Sequence, residues 1–274
     1  MRALNGRNHV RLSYCPSDRA QYGNRVLFIT IVACYLIAAW MLASLRYADT
    51  GERVSLGPAL PALLIGFLGL GLHIWLLWGA VLADDGLMLS MNNVISIMGW
   101  QVAIIALIAA LRPRIRGLSA LLLPVAALAA LIGSAGSAPD IIQHLNWEMR
   151  AHILVSVAAY TLLSIGAAIA ILIAMQDRSL RSRHPGRLLR VLPPLETMEQ
   201  VLFATIHIGV ILLTFSVFSG LIFVENAFAQ HLVHKTVLSI VALVVFTLLL
   251  LGRWRGRTSR FATPHEAATR GGEQ

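Results

Sequence analysis

The sequence predicts an all-α polytopic membrane protein: a bundle of about seven transmembrane helices, N terminus outside and C terminus inside. Three observations carry that prediction. Of the 274 residues, 57% are hydrophobic and only 13% charged, whereas soluble domains are roughly a quarter charged. Seven stretches free of Asp, Glu, Lys and Arg approach or exceed spanning length. A helix rises about 1.5 Å per residue, so about 20 apolar residues cross about 30 Å of hydrocarbon with every backbone group bonded internally. Arginines gather beside alternate helix ends, as topology signals do.

The first span runs from Val26 to Leu45, behind a segment, residues 1–25, that holds Arg2, Arg7, Arg11, Arg19 and Arg25 against Asp18 alone. No apolar core precedes Val26, so this segment is not a signal peptide. It is predicted to be a disordered extension, and its basic character is the one feature that opposes an outside N terminus. The second span, Pro58 to Leu82, and the third, Asn93 to Leu111, flank a loop with Asp84 and Asp85. Ser90 is placed to cap the third helix. Arg112, Arg114 and Arg116 follow it and mark the cytoplasmic side. The fourth span, Gly117 to Ala135, and the fifth, Ala151 to Met175, enclose an outer loop with Asp140, and five arginines from Arg178 to Arg190 follow the fifth. There "RSRHPGRLLRVLPPLETMEQ" reads as an interfacial element, with Leu188, Leu189 and Leu192 dipping into lipid until Pro193 and Pro194 break it. The sixth span, Val201 to Val224, and the seventh, Thr236 to Leu251, complete a membrane domain over residues 26–256. Arg253, Arg255, Arg257 and Arg260 then lead into a cytoplasmic tail, residues 257–274, predicted to be disordered.

The net charge of +9 raises nucleic acid as a partner, but the arginines sit at helix ends and do not interleave with aromatics, so nucleic acid is excluded and the bilayer is the partner they fit. Cys15 and Cys34 form neither a C-x-x-C thiol pair nor a C-x-x-C-H haem attachment site. Phosphate-cradling glycine loops, nucleophile elbows and H-E-x-x-H zinc sites are all lacking, so the sequence predicts a protein that is not an enzyme. No span carries an acid or an evident inverted repeat, which argues against a secondary transporter.

Histidines are the residues that point to chemistry. His73, His144, His152, His231 and His234 belong to the outer half, and imidazole is a common ligand of haem iron and other metals. His73, in "GFLGLGLHIWLLWG", is the deepest of these, where an ionisable group faces the bundle interior or a cavity. Gly66, Gly69 and Gly71 before it allow close approach of a helix or a flat ligand. Trp75 and Trp78 read as interface anchors. His152 opens a helix in which Ser156, Tyr160 and Ser164 follow at spacing four, a stripe that should face other helices. His207 reads as a satisfied packing histidine. His144 and His231 read equally as interfacial side chains.

Taken in order, "LHIWLLW", "LSMNNVISIMGWQ", "HILVSVAAYTLL", "LPPLETMEQVLFATIHIGVILLTFSVFSGLIF" and "HKTVLSIVALVVFTLLLLGRWRG" resemble the cytochrome c assembly membrane protein family, nearest its YpjD-like branch, over about Leu60 to Gly256. The resemblance implies a bacterial inner-membrane location, haem b bound or handled near the outer face during c-type cytochrome maturation, and other maturation or inner-membrane proteins as partners. By motif position it carries His73 and His152 over as candidate iron ligands, and His234 and Lys235 as further cofactor-binding residues. Haem-handling members place a tryptophan-rich loop before that lysine, whereas this chain reads "VENAFAQHLVHK". The departure leaves a second expectation beside the first: a non-enzymatic accessory or scaffold protein that has lost haem and associates with another membrane protein.

Overall fold

A computed structural model describes residues 18–48, 57–83, 86–88, 90–134, 142–143, 146–181, 192–223 and 230–261. Seven helices dominate it: α1 (Asp18–Ala48), α2 (Leu60–Val81), α3 (Met91–Leu111), α4 (Arg116–Ser134), α5 (Trp147–Arg181), α6 (Leu195–Phe223) and α7 (Gln230–Phe261). Each is long and apolar enough to cross a membrane. Three short strands, Leu82–Ala83, Gly86–Met88 and Ile142–Gln143, pair antiparallel and tie the α2–α3 connection to the α4–α5 connection, so both lie at the same end of the bundle. That end is the one whose loops carry the acids, and it is called the outer end below.

Helices α1 to α4 form a closed ring in which each packs on the next and α4 returns to α1. The ring is held by small residues. Gly69 lies so close to α1 that a methyl group there would meet Cys34 Cβ at 2.8 Å, and one on Gly99 of α3 would meet Ala129 Cβ of α4 at 2.6 Å. In lipid, where helices gain little by hiding apolar surface from one another, such close approach is what supplies van der Waals contact. Ser90 caps α3 as predicted, its hydroxyl accepting from the Asn93 N–H at 3.2 Å. Arg116, expected as a topology charge, is buried and turns back so that Nε donates to the Ala110 carbonyl at 3.2 Å, satisfying an orphan acceptor near the end of α3.

Helices α5 and α6 pack antiparallel beside the ring. Their inner halves join its core through Ile165, Ile169, Met198, Leu202 and Ile206. Near the outer end a separate cluster of Leu77, Ile97 and Val157 joins α2, α3 and α5. Helix α7 rests on α6 and none of its Thr236–Arg253 span is buried. Its inner end is fastened by Arg253, whose guanidinium stacks 3.5 Å above the Phe203 ring and lies 3.8 Å from Glu199 Oε2.

Three expectations change. Residues 18–25, placed in a disordered extension, are the start of α1, and α7 runs through residues 257–261 of the expected tail. Once a helix is nucleated each further residue adds a hydrogen bond at little cost, so a spanning helix readily continues into the aqueous layer. Residues 1–17 and 262–274 lie outside the described residues. Leu192 is buried in the main core instead of dipping into lipid, and α6 begins at Leu195, directly after Pro193 and Pro194, with the Met198 N–H donating to the Pro194 carbonyl. Leu188 and Leu189 lie outside the described residues.

Candidate functional site

His73 is fully buried between α1, α2 and α3. Its Nδ1 lies 3.1 Å from Tyr35 Oη and its Nε2 lies 3.0 Å from Ser96 Oγ. The Tyr35 ring stands 5.9 Å away at 56°. Both ring nitrogens are therefore engaged, and a lone pair for iron becomes available only if a hydroxyl withdraws. Of the glycines before it, Gly66 and Gly69 face Leu107 and Cys34, while a methyl on Gly71 meets nothing within 4 Å. The close approach they permit is that of neighbouring helices.

His152 is different. It sits half-buried in the second turn of α5 with Nδ1 2.9 Å from Ser219 Oγ on α6, and its ring lies over Gly220, where a methyl would meet Cε1 at 3.0 Å. Ser219 donates its one hydroxyl proton to the Ser216 carbonyl at 3.1 Å. Ser156 donates to the His152 carbonyl at 2.6 Å, and the Ser216 hydroxyl, 2.7 Å from Ser156 Oγ, donates to it. Each hydroxyl has a single proton, so Ser219 Oγ is left to accept from His152 Nδ1–H. The ring of donors closes without conflict. It assigns the tautomer in which His152 Nε2 carries a lone pair, and among the described residues Nε2 has no hydrogen-bond partner. Hydrogen bonding at one ring nitrogen to orient the other is how ligating imidazoles are set.

The predicted stripe is thus partly as expected. His152 and Ser156 face α6, while Tyr160 turns to α7 and hydrogen-bonds Ser239 Oγ at 2.5 Å. Ser164, one turn further, is exposed. Ser216, Ser219 and Gly220 complete the site and were missed in the sequence. The signal was present, since "SVFSG" puts two serines three apart near the outer end of α6, opposite His152 and Ser156 on its antiparallel neighbour. His231, His234 and Lys235 lie on α7, but their side chains, like all of His144, lie outside the described residues. No contact between His73 and His152 occurs among the described residues: His73 is held by Tyr35 and Ser96, His152 by Ser219. No group of three or more His, Cys, Asp or Glu that could hold a metal occurs among the described residues.

His207 is not packed. It is exposed in mid-α6, with Nδ1 2.6 Å from the Phe203 carbonyl.

A family profile described as "Cytochrome C assembly protein" matches residues 62–263. The chain belongs to that family. It is 35% identical over 183 residues to the inner membrane protein YpjD of Escherichia coli, which covers 64% of this chain and 68% of that protein. It is 33% identical over 150 residues to an uncharacterized 28.8 kDa protein of Azospirillum brasilense, covering 50% and 53%. No solved structure matches it. Family membership supports a role in c-type cytochrome maturation, and with seven spanning helices and this kinship the chain is a multi-pass inner-membrane protein.

Proposed function

We propose that this cytochrome c assembly protein binds haem b near the outer face, with His152 Nε2 as the atom that would ligate its iron, and acts by binding and presenting the group without itself being an enzyme. The observation that carries this reading is the closed set of hydrogen bonds through Ser219, Ser216 and Ser156, which leaves Nε2 as an unpartnered lone pair at the outer end of α5. Haem supplies an iron that an imidazole can ligate and two propionates that a lysine ammonium can neutralise. Here Ser219 would hold the ring in the ligating tautomer and Gly220 would leave room for it. Lys235 would be a candidate to neutralise a propionate, and His234 beside it a further candidate to hold the group. His73 fits this role less well, because Tyr35 and Ser96 already take both its nitrogens; its part in the reading is to set the fold of the first four helices.

A second reading, a scaffold that has lost haem and associates with another membrane protein, is favoured by two observations: the absence of tryptophan from residues 224–235 and the full engagement of His73. The absorption spectrum of detergent-purified protein from haem-replete cells, oxidised and dithionite-reduced, decides between them. Haem binding predicts a stoichiometric Soret band that shifts on reduction and weakens in His152→Ala. A featureless spectrum rejects haem binding and leaves the scaffold.

A further inference from the structure

Among the exposed polar atoms left without a partner among the described residues, His207 Nε2 and Ser164 Oγ complement each other. A neutral imidazole has one N–H, and a backbone carbonyl can only accept. The His207 Nδ1 contact with the Phe203 carbonyl at 2.6 Å therefore places the proton on Nδ1 and leaves Nε2 as a pure acceptor, with no partner among the described residues. It emerges from an arc of α6 that is otherwise apolar, with Ile208, Ile211, Phe215 and Phe218 exposed around it. Thr214 on the same arc has already donated its hydroxyl to the Val210 carbonyl. On α5, Ser156 and Thr161 likewise donate to the carbonyl four residues back. Ser164 does not: it is exposed and its hydroxyl has no partner among the described residues.

The two are level. Along the antiparallel pair, His152 meets Ser219, Ser156 meets Ser216, Gly209 approaches Leu163 and Gly166 approaches Ile206. In that register Ser164 stands opposite residue 208, within about 1.5 Å of the height of His207. The level is deep. Ser164 lies fourteen residues after Arg150 and thirteen before Asp177, about 20 Å from either at ~1.5 Å per residue. Headgroups and water do not reach that depth and acyl chains offer no donor, so His207 Nε2 needs a protein donor, and Ser164, whose hydroxyl has not turned back to its own helix, is placed to supply one.

We propose that a second copy of this chain covers this surface, with the Ser164 hydroxyl on α5 of one copy donating to His207 Nε2 on α6 of the next. Rotation about the membrane normal preserves depth, so level groups on different copies can meet. Two facing His207 rings would oppose lone pair to lone pair, so the contact sets α5 of one copy against α6 of the other and is not a self-pairing of α6; a two-fold dimer makes it twice, reciprocally. The inference is independent of haem binding.

The test is energy transfer between donor- and acceptor-labelled full-length chains reconstituted in phosphatidylcholine vesicles across a range of protein-to-lipid ratios. Wild type should associate. His207→Leu and Ser164→Ala should each raise the half-association ratio roughly three- to twenty-fold, the range for one hydrogen bond between membrane helices, and the double variant should be no worse than either single one. Labelled Ser164→Ala chains mixed with labelled His207→Leu chains should associate at a lower half-association ratio than either variant alone, because one intact donor then meets one intact acceptor. Transfer no greater than for randomly mixed monomers, association indifferent to both substitutions, or loss with only one of them overturns the proposal. Both positions are exposed to lipid, and unchanged helical circular dichroism confirms that each variant is folded.

Discussion

Replacing His73 by leucine keeps the volume similar and removes both hydrogen bonds of the ring. Tyr35 and Ser96 are then left with hydroxyls inside a site from which solvent is excluded. Each stranded hydroxyl costs about 1–3 kcal/mol, so His73→Leu should destabilise the protein by about 2–6 kcal/mol, toward the lower end because a helix unfolded within a micelle also finds polar partners. Removing all three polar groups, Tyr35→Phe, His73→Leu and Ser96→Ala, leaves nothing unmatched, and most of that loss should return, to within about 1.5 kcal/mol of wild type. The assay is reversible unfolding by SDS in mixed micelles, followed by helical circular dichroism. A single variant within about 0.5 kcal/mol of wild type, or a triple variant as unstable as the single one, would refute the view that this histidine is held as a buried structural link.

Other outcomes follow from the same geometry. Ser219→Ala removes the group that orients His152, and hemin affinity should fall roughly tenfold to a hundredfold, the usual effect of losing an outer-shell partner of a ligand; a Soret titration with unchanged affinity would count against the assigned tautomer. Gly69→Ala should cost about 1–3 kcal/mol, because the new methyl meets Cys34 Cβ at 2.8 Å and neither backbone can yield cheaply. Gly71→Ala, with nothing within 4 Å, should be neutral or stabilise by up to about 1 kcal/mol through helix propensity; thermal midpoints in nanodiscs compare the two. Arg253→Ala loses the stack on Phe203 and the Glu199 contact, and amide exchange around residues 248–253 should speed severalfold while the four-helix ring is unaffected.

The spans were legible because hydrocarbon imposes one rule on all of them, and their absence of charge is visible residue by residue. The Ser90 cap was equally legible, since capping depends on a side chain and an N–H three residues away. What could not be read was pairing between helices. His73 was correctly placed in the interior, yet nothing local tells that Tyr35 and Ser96, 38 and 23 residues away, take its two nitrogens. The sequence shows His152 at a helix mouth. Its chemistry, however, is set by Ser219, 67 residues on. The exposure of His207 is hidden for a related reason: period alone gives its face on α6, but which face turns to lipid depends on where α5 and α7 lie. In residues 18–25 and 257–261 charge does not signal disorder; it marks the depth at which a continuing helix leaves the bilayer.

The four contacts between α5 and α6 form one ladder, from His152 with Ser219 to Gly166 with Ile206. A single residue inserted between Ser156 and Leu163 would turn everything on one side of it by about 100° relative to the other. Either the serine rungs or the glycine rungs would then point away from their partners, and no slide of one helix along the other could recover both. This pair of helices is therefore closed to change in length over that stretch: its history can proceed by exchange of side chains, while insertions and deletions are confined to the loops at its ends.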